Sequence, residues 1–534
     1  MKKILSILAL IFLCDLSYAD DLLKVRIDDF SGGQNSYDLA SIIEANQSPL
    51  LENVIVSKKG QANKRKGQSL FVTDESNSAW TGIGIFNPDA NTAYLMGASG
   101  VSVVRVTSSS TSWTIANPSN ALTAGKDTEF IQANNFLFIL NGTEQTPAYN
   151  GSAWYASAGT TASPPTATTG AWLRNYLFCA GNPTNTDWIY FSNNLAPLKF
   201  TSTDIIKVNT GDGQKIVKLE TFKLNELIVY KEKSIFNLDI TGTTPLIDWS
   251  LQNVSSTIGC IAPRSVVNVG NDHVFLSSDP IAVRTLVRSS FDKILIDMLS
   301  RPIQDIFDGT GDRVINKSQI SKSAAVLFDD KYILAIPTGT STVNDYVVVY
   351  DFITKSWFSI DGWFPAAWIK FNNNLYYIDA NDGRVVQSFT GTVGDITLGP
   401  STVIAASEPT VAITYVYTSK NIDFGNPENF KQLDALDIEF DSVGNYSSTI
   451  YIELDDSGWQ NVGTINMKGG GVTLPANLPF TLGASGVARS TLQLQRYGEF
   501  KKIKIRVEQA GKSELCSLHS ITCFARLKPW RREN

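Results

Sequence analysis

Between residues 80 and 395 the chain repeats one short pattern, a turn-forming Asn or Asp followed by three or four apolar β-formers. Asn91 precedes Ala93-Tyr94-Leu95-Met96, Asn135 precedes Phe136-Leu137-Phe138-Ile139, Asn175 precedes Tyr176-Leu177-Phe178, and Asn225 precedes Leu227-Ile228-Val229-Tyr230. Asp272 precedes Val274-Phe275-Leu276, Asp330 precedes Tyr332-Ile333-Leu334, and Asn374 precedes Leu375-Tyr376-Tyr377-Ile378. The gaps run from about forty to nearly sixty residues, the size of one four-stranded propeller blade. Partner strands fill each unit. Residues 346–350 lead through Thr354-Lys355 into Ser356-Trp357-Phe358, and Asn381-Asp382-Gly383 turns one apolar pair back on another, because Asn and Gly tolerate positive φ. The sequence therefore predicts an all-β fold with a six- or seven-bladed β-propeller over 80–397. A repeated array of sandwiches is the competing architecture. The similar length and unbroken spacing of the units favour the propeller.

The pattern changes after residue 397. Residues 411–528 carry longer alternating strands, such as Leu436-Asp437-Ile438-Glu439-Phe440, Thr449-Ile450-Tyr451-Ile452-Glu453-Leu454 and Lys502-Ile503-Lys504-Ile505-Arg506-Val507. They predict a C-terminal antiparallel β-sandwich. Gly-rich 467–490 reads as a loop, and 157–170, with Pro164-Pro165, as an exposed connection. At the other end, Lys2 and Lys3, an apolar run over 4–13 and Ser17-Tyr18-Ala19 have the form of a secretory signal over 1–19. Residues 20–79 are left as an N-terminal arm.

Composition narrows the chemistry. Only 18% of residues are charged, below the roughly 25% of ordinary soluble domains, as befits a turn-rich β protein. A formal net charge of -6 has the wrong sign for a general phosphate binder. Two histidines and five cysteines leave little material for metal or triad chemistry. No zincin, nucleophile-elbow, Cys-x-x-Cys or Walker pattern occurs. Asp379-Ala380-Asn381-Asp382-Gly383 has its glycine one place early for a calcium loop and reads as a hairpin. The cysteines read as small core hydrophobes. No catalytic, metal or cofactor site is expected, and the chain reads as a non-enzyme.

One basic run stands out, Lys58-Lys59-Gly60-Gln61-Ala62-Asn63-Lys64-Arg65-Lys66, suited to an acidic neighbour or a solvated loop. It follows Phe30-Ser31-Gly32-Gly33-Gln34-Asn35, Asp38, Ala45-Asn46-Gln47 and Leu51-Glu52-Asn53-Val54, and leads into Gly67. This order resembles the N-terminal signature of tailed-bacteriophage structural proteins, in which Phe-x-Gly-Gly-x-Asn leads to Asn-Val and then Arg-x-Gly. A second stretch, Asp423-Phe424-Gly425-Asn426-Pro427 with Lys431, looks like the entry strand of the same family's C-terminal domain. The resemblance implies a tail hub or nozzle protein of the virion, like the packaged-DNA stabilisation proteins of short-tailed phages. It further implies a ring homo-oligomer, a hexamer, below portal and adaptor and next to tail needle or fibre proteins. Packaged DNA would pass non-specifically through its lumen during ejection, and assembly would occur in the host cytoplasm, where an export signal does not belong. On this reading Phe30, Gly32, Gly33, Asn35, Asn53, Lys58, Lys59, Lys64, Arg65 and Lys66 meet neighbouring subunits. The alternative is an exported periplasmic or extracellular propeller that binds or hydrolyses glycans.

Overall fold

A computed structural model describes residues 22–57, 59–71, 79–107, 114–117, 121–156, 163–242, 244–270, 272–289, 293–390, 394–396, 410–468 and 487–528. The segment 1–19 and most of 467–490 lie outside the described residues. The chain divides into two units, Lys66–Val411 and Met1–Arg65 with Ala412–Asn534. The arm drawn at 20–79 is thus cut at Arg65, its first part belonging with the C-terminal strands.

The larger unit is a β-propeller. Among its described residues are six antiparallel four-stranded sheets and one further run of four consecutive antiparallel strands, from Ala324–Phe328 to Ser356–Asp361, in keeping with the expected six or seven blades. Their first strands are Trp80–Asp89, Glu129–Ala133, Thr169–Leu173, Ile216–Phe222, Val267–Val269, Ala324–Phe328 and Pro365–Phe371. Each of these lies against the first strand of the next sheet, and the seventh lies against the first, so the sheets are blades 1 to 7 of a closed ring. Every apolar run picked out by the recurrence is the second strand of a blade, from Thr92–Ser99 in blade 1 to Asn374–Asp379 in blade 7.

The turns explain why. Arg174 and Asn175, Asp329 and Asp330, and Asn372 and Asn373 are consecutive positive-φ pairs, joining Leu173 to Tyr176, Phe328 to Lys331 and Phe371 to Asn374 in register. Two-residue turns of this hand match the twist of the strands they join. The second strands are largely buried, as in Leu137, Phe138, Ile139 and Leu140, because a blade's middle strands pack against neighbours on both faces. Of the connection read over 157–170, residues 157–162 lie outside the described residues, and its end at 169–170 is already strand Thr169–Leu173.

Three of blade 7's strands are consecutive, but the fourth is Gly67–Leu70, from before blade 1, paired with Val385–Thr390. This strand closes the ring. Gly67 sits so close to Gly394 that an added Cβ would overlap the latter's carbonyl oxygen.

The smaller unit holds two large antiparallel sheets and a parallel pair, Gly33–Gln34 with Gln47–Ser48. One contains Val487–Gln493, Lys431–Asp441, Ser517–Leu527, Ala62–Lys64 and Val54–Val56, with Leu22–Ile27 and Glu499–Phe500 paired onto it. The other orders Leu50–Glu52, Tyr415–Thr418, Ile503–Gln509, Ser447–Leu454 and Gln460–Asn466. Alternation is clean: Ile503, Ile505 and Val507 are buried while Lys504 and Arg506 are not, as for strands with one wet face. N-terminal residues contribute strands to both sheets, an element absent from the 411–528 prediction.

Candidate functional site

The N-terminal motif residues brace the smaller unit from within. Phe30 is 1% exposed and meets Tyr417 edge-on at 5.0 Å between ring centres. Gly33 takes φ +68, which a side chain would strain. Asn35 is the hub of the next loop: its Nδ2 donates to Asp38 Oδ2 (3.2 Å) and Gln47 Oε1 (3.1 Å), its Oδ1 accepts from the Asp38 N–H, and its own N–H reaches the Ser48 carbonyl. Asn53, at φ +57, donates to the Thr414 carbonyl and accepts from Arg65 Nε at 2.6 Å. Lys64 donates to Gln509 Oε1 at 2.6 Å and to the Gly511 carbonyl at 3.0 Å.

These placements correct the expected subunit contacts. Phe30, Gly33, Asn35, Asn53, Lys64 and Arg65 are buried inside their own chain and present no surface to a neighbour. Gly32 is half-buried against Asn46. Lys59 and Lys66 are exposed, and Lys58 lies outside the described residues.

The second motif builds a pocket. Lys431, fully buried, donates to the carbonyls of Asn426 (2.6 Å), Asn429 (2.9 Å) and Lys501 (2.7 Å), which fixes the 423–430 loop over the strand that follows. Burial pulls its pKa below the usual lysine value. The resulting cavity, of about 530 Å³, is lined by Ser41, Asn421, Asp423, Pro427, Phe430, Asp455, Lys501 and Lys502. Its charged rim is largely occupied. Asp455 accepts the Lys501 and Lys502 N–H groups, Asp423 Oδ1 accepts the Gly425 N–H, Lys502 pairs with Asp456, and Lys501 Nζ lies 4.8 Å from the Phe430 ring centre. Asn421 Oδ1 is buried without a hydrogen-bond partner among the described residues.

The propeller axis is crossed by side chains. Arg264, just before blade 5, donates to the carbonyls of Thr81 (2.7 Å) in blade 1 and Ala366 (3.2 Å) in blade 7, and lies 3.3 Å from Asp127 ahead of blade 2. Lys218 of blade 4 reaches Glu129 of blade 2 at 2.6 Å, passing in front of blade 3. Burial lowers the Lys218 pKa, but Glu129 and Glu220 outweigh it and the value ends above the usual lysine range. Burial raises Glu220, with Lys218 opposing. These contacts link blade 1 to blade 7 through Arg264 and blade 2 to blade 4 through Lys218.

Residues with catalytic potential are committed elsewhere. His273 of blade 5 is fully buried, bonded through Nδ1 to the Tyr230 hydroxyl (2.9 Å) and through Nε2 to the Thr221 carbonyl (2.8 Å). Burial pulls its pKa down to about 4, so it is neutral at pH 7. His519 belongs to the other unit, beside Asp441 and Gln61. Cys179, Cys260, Cys516 and Cys523 are buried free thiols. Burial pushes Cys260 up to about 11, and Cys516 and Cys523 up to about 12, which makes them unreactive core groups. Asp379-Ala380-Asn381-Asp382-Gly383 is the expected hairpin, with Gly383 at φ +73. Within it Asp379 is 1% exposed and its Oδ2 has no hydrogen-bond partner among the described residues; burial pushes the carboxyl up to about 7. Among the described residues no cluster of three or more His, Cys, Asp or Glu could hold a metal ion.

No family model matches the chain, and no curated protein matches it. Solved structures similar to it include the computationally designed Ika8 protein (10% identity, 61% of this chain and 100% of that chain, TM-score 0.38). The WD40 domain of Neurospora crassa Pan2 is similar at 8% identity over 61% of this chain and 94% of that one, with a TM-score of 0.39. YCF48 bound to D1 peptide is similar at 8% identity over 61% and 95%, with a TM-score of 0.38.

Proposed function

We propose that this chain is a non-enzymatic structural component of a bacteriophage tail, a hub or nozzle protein assembled in several copies around the tail axis. What carries the reading is the ordered run of tail-protein motifs from Phe30 to Gly67 and from Asp423 to Lys431. The fold gives each conspicuous residue of those motifs a constructional task. Asn53 and Arg65 clamp one another, Gly67 admits the backbone that closes the propeller, and Lys431 pins a loop. A protein that must hold shape under load gains from rigid, internally bonded joints of this kind. Supporting the same view, the buried histidine and thiols serve the core.

The bridged propeller axis refines the proposal. Any DNA passage lies between copies, along the axis of the ring, and each propeller is solid mass in its wall. The acidic balance suits such a wall, because phosphates would slide past it without tight binding. The test is genetic. Interrupting the gene is expected to give DNA-filled heads that lose their DNA, with truncated tails under negative-stain microscopy. Intact, infectious particles lacking this chain would reject the reading.

A further inference from the structure

The turns at one end of blades 3 and 4 carry exposed aliphatic side chains. In blades 2, 6 and 7 the turn between the first two strands holds Asn134-Asn135, Asp329-Asp330 and Asn372-Asn373, residues that take left-handed backbone at little cost. Blade 4 places Lys223 and Leu224 there, and Leu224 is 84% exposed. Between the last two strands of blade 3, Trp188–Asn193 and Ala196–Lys207, stands Leu195 at φ +56, 60% exposed. The corresponding loop of blade 4, between Ile235–Asp239 and Ser250–Ser255, holds Leu246 at φ +65 and Ile247, 80% exposed. A bulky aliphatic residue in left-handed backbone is strained, and these side chains add nothing to the core.

The four tips stand together. In an antiparallel blade the first and third turns lie at the same end, and hydrogen bonds tie them across the two blades. The Leu195 N–H donates to the Asn175 carbonyl (2.9 Å), Arg174 Nη1 to Asn225 Oδ1 (2.8 Å), and the Ile240 N–H to the Asn225 carbonyl (2.9 Å). Trp249, at the end of the blade 4 loop, packs its ring on Tyr176 and Phe191 of blade 3 at 5.2 and 5.0 Å between centres. Charge is layered beneath the tips. Arg174 and Lys223 are exposed turn residues, level with the aliphatic groups. Asp272, which faces Lys223, and Glu226, paired with Arg288, each begin a strand, and Asp239 ends one. Asp248 is turned into its own loop, where it accepts the Thr244 N–H at 2.8 Å.

We propose that this end of blades 3 and 4 docks on a lipid bilayer. Leu195, Leu224, Leu246 and Ile247 enter the boundary between headgroups and acyl chains, and Arg174 and Lys223 meet the phosphates of anionic lipids. A folded protein partner would need a continuous apolar centre, whereas Arg174, Asn175 and Asn225 stand between these tips. A fluid surface accepts separate tips at the spacing they have, and the polar groups between them stay among the headgroups. Cations at the apex with carboxylates set back are the order an anionic surface selects. The strain at Leu195 and Leu246 is offset once their side chains leave water. This goes beyond the tail reading and does not rest on it.

The test floats the purified full-length chain with vesicles of phosphatidylcholine alone and of phosphatidylcholine and phosphatidylglycerol in equal parts. Binding to the mixed vesicles is expected, weakening as salt is raised. Leu224→Asp and Ile247→Asp are each expected to lower partitioning about tenfold or more, with an unchanged melting temperature because both positions are exposed. A Leu224→Cys chain carrying an environment-sensitive dye is expected to shift to the blue on the mixed vesicles, after subtraction of the parent chain's signal. Thr184→Cys, in the exposed turn between Tyr176–Ala180 and Trp188–Asn193 at the other end of blade 3, is expected to stay unshifted. The proposal is overturned by a chain that leaves the mixed vesicles bare, by binding indifferent to both Asp substitutions, or by equal shifts at the two dye sites. Self-association abolished by Leu224→Asp, without vesicle binding, would assign the tips to a second copy and overturn it as well. Presence or absence of the chain in phage particles bears only on the tail reading, so the two failures are distinguishable.

Discussion

Lys64 and Arg65 show how far residue type is from residue role. In sequence they belong to a nine-residue basic run that reads as surface. Within Ala62–Lys64 the alternation turns Lys64 inward to Gln509, and Arg65 bonds both the side chain and the carbonyl of Asn53. Arg65→Ala is expected to lower unfolding free energy by about 1.5–3 kcal/mol, the usual loss for a hydrogen bond to a charged group, as read in urea titrations. Arg65→Glu is expected to cost more, because it buries an unpaired carboxylate. Two titrating groups predict opposite pH slopes. Asp379 has a folded pKa above its ordinary value, so its stabilisation is full below about pH 4 and is lost as pH rises to about 7; the difference corresponds to about 4 kcal/mol at most. Asp379→Asn should therefore flatten the fall in melting temperature between about pH 4 and pH 7. His273, held neutral, works the other way, and its stabilisation fades as pH falls from about 6.5 toward 4. An Asn variant that melts in parallel with the parent across that range would refute the Asp379 assignment.

Among elements, the seven second strands were legible because each couples a short turn, with a positive φ in blades 2 to 7, to a run of apolar β-formers, a local signal. The closing strand was not. Gly67–Leu70 carries no alternation of its own, and its partner Val385–Thr390 is remote in sequence; only the three-dimensional ring requires it. The smaller unit shows the same division. Its long alternating strands were visible, whereas Val54–Val56 and Ala62–Lys64 are too short to register until paired. The site residues followed suit, since motif spacing located Asn35, Asn53 and Lys431 but carried no information on burial. Closure by a distant strand makes Gly67 sensitive. Gly67→Ala is expected to cost about 1–3 kcal/mol from forced overpacking. Limited proteolysis should then cut first near residues 66–71, while the parent chain resists there. Equal resistance in the two chains would mean that the seam is not where the ring is weakest.

At the scale of the whole molecule, the described residues hold a propeller whose axis is bridged and a two-sheet unit whose most conspicuous polar residues point inward. The most direct measurement is quantitative peptide mass spectrometry on purified tailed particles and on envelope fractions of the source culture. The account predicts this chain in the particles at several copies each. Its absence from particles, with a species in the envelope fraction beginning near Asp20, would contradict the tail assignment and favour an exported propeller instead.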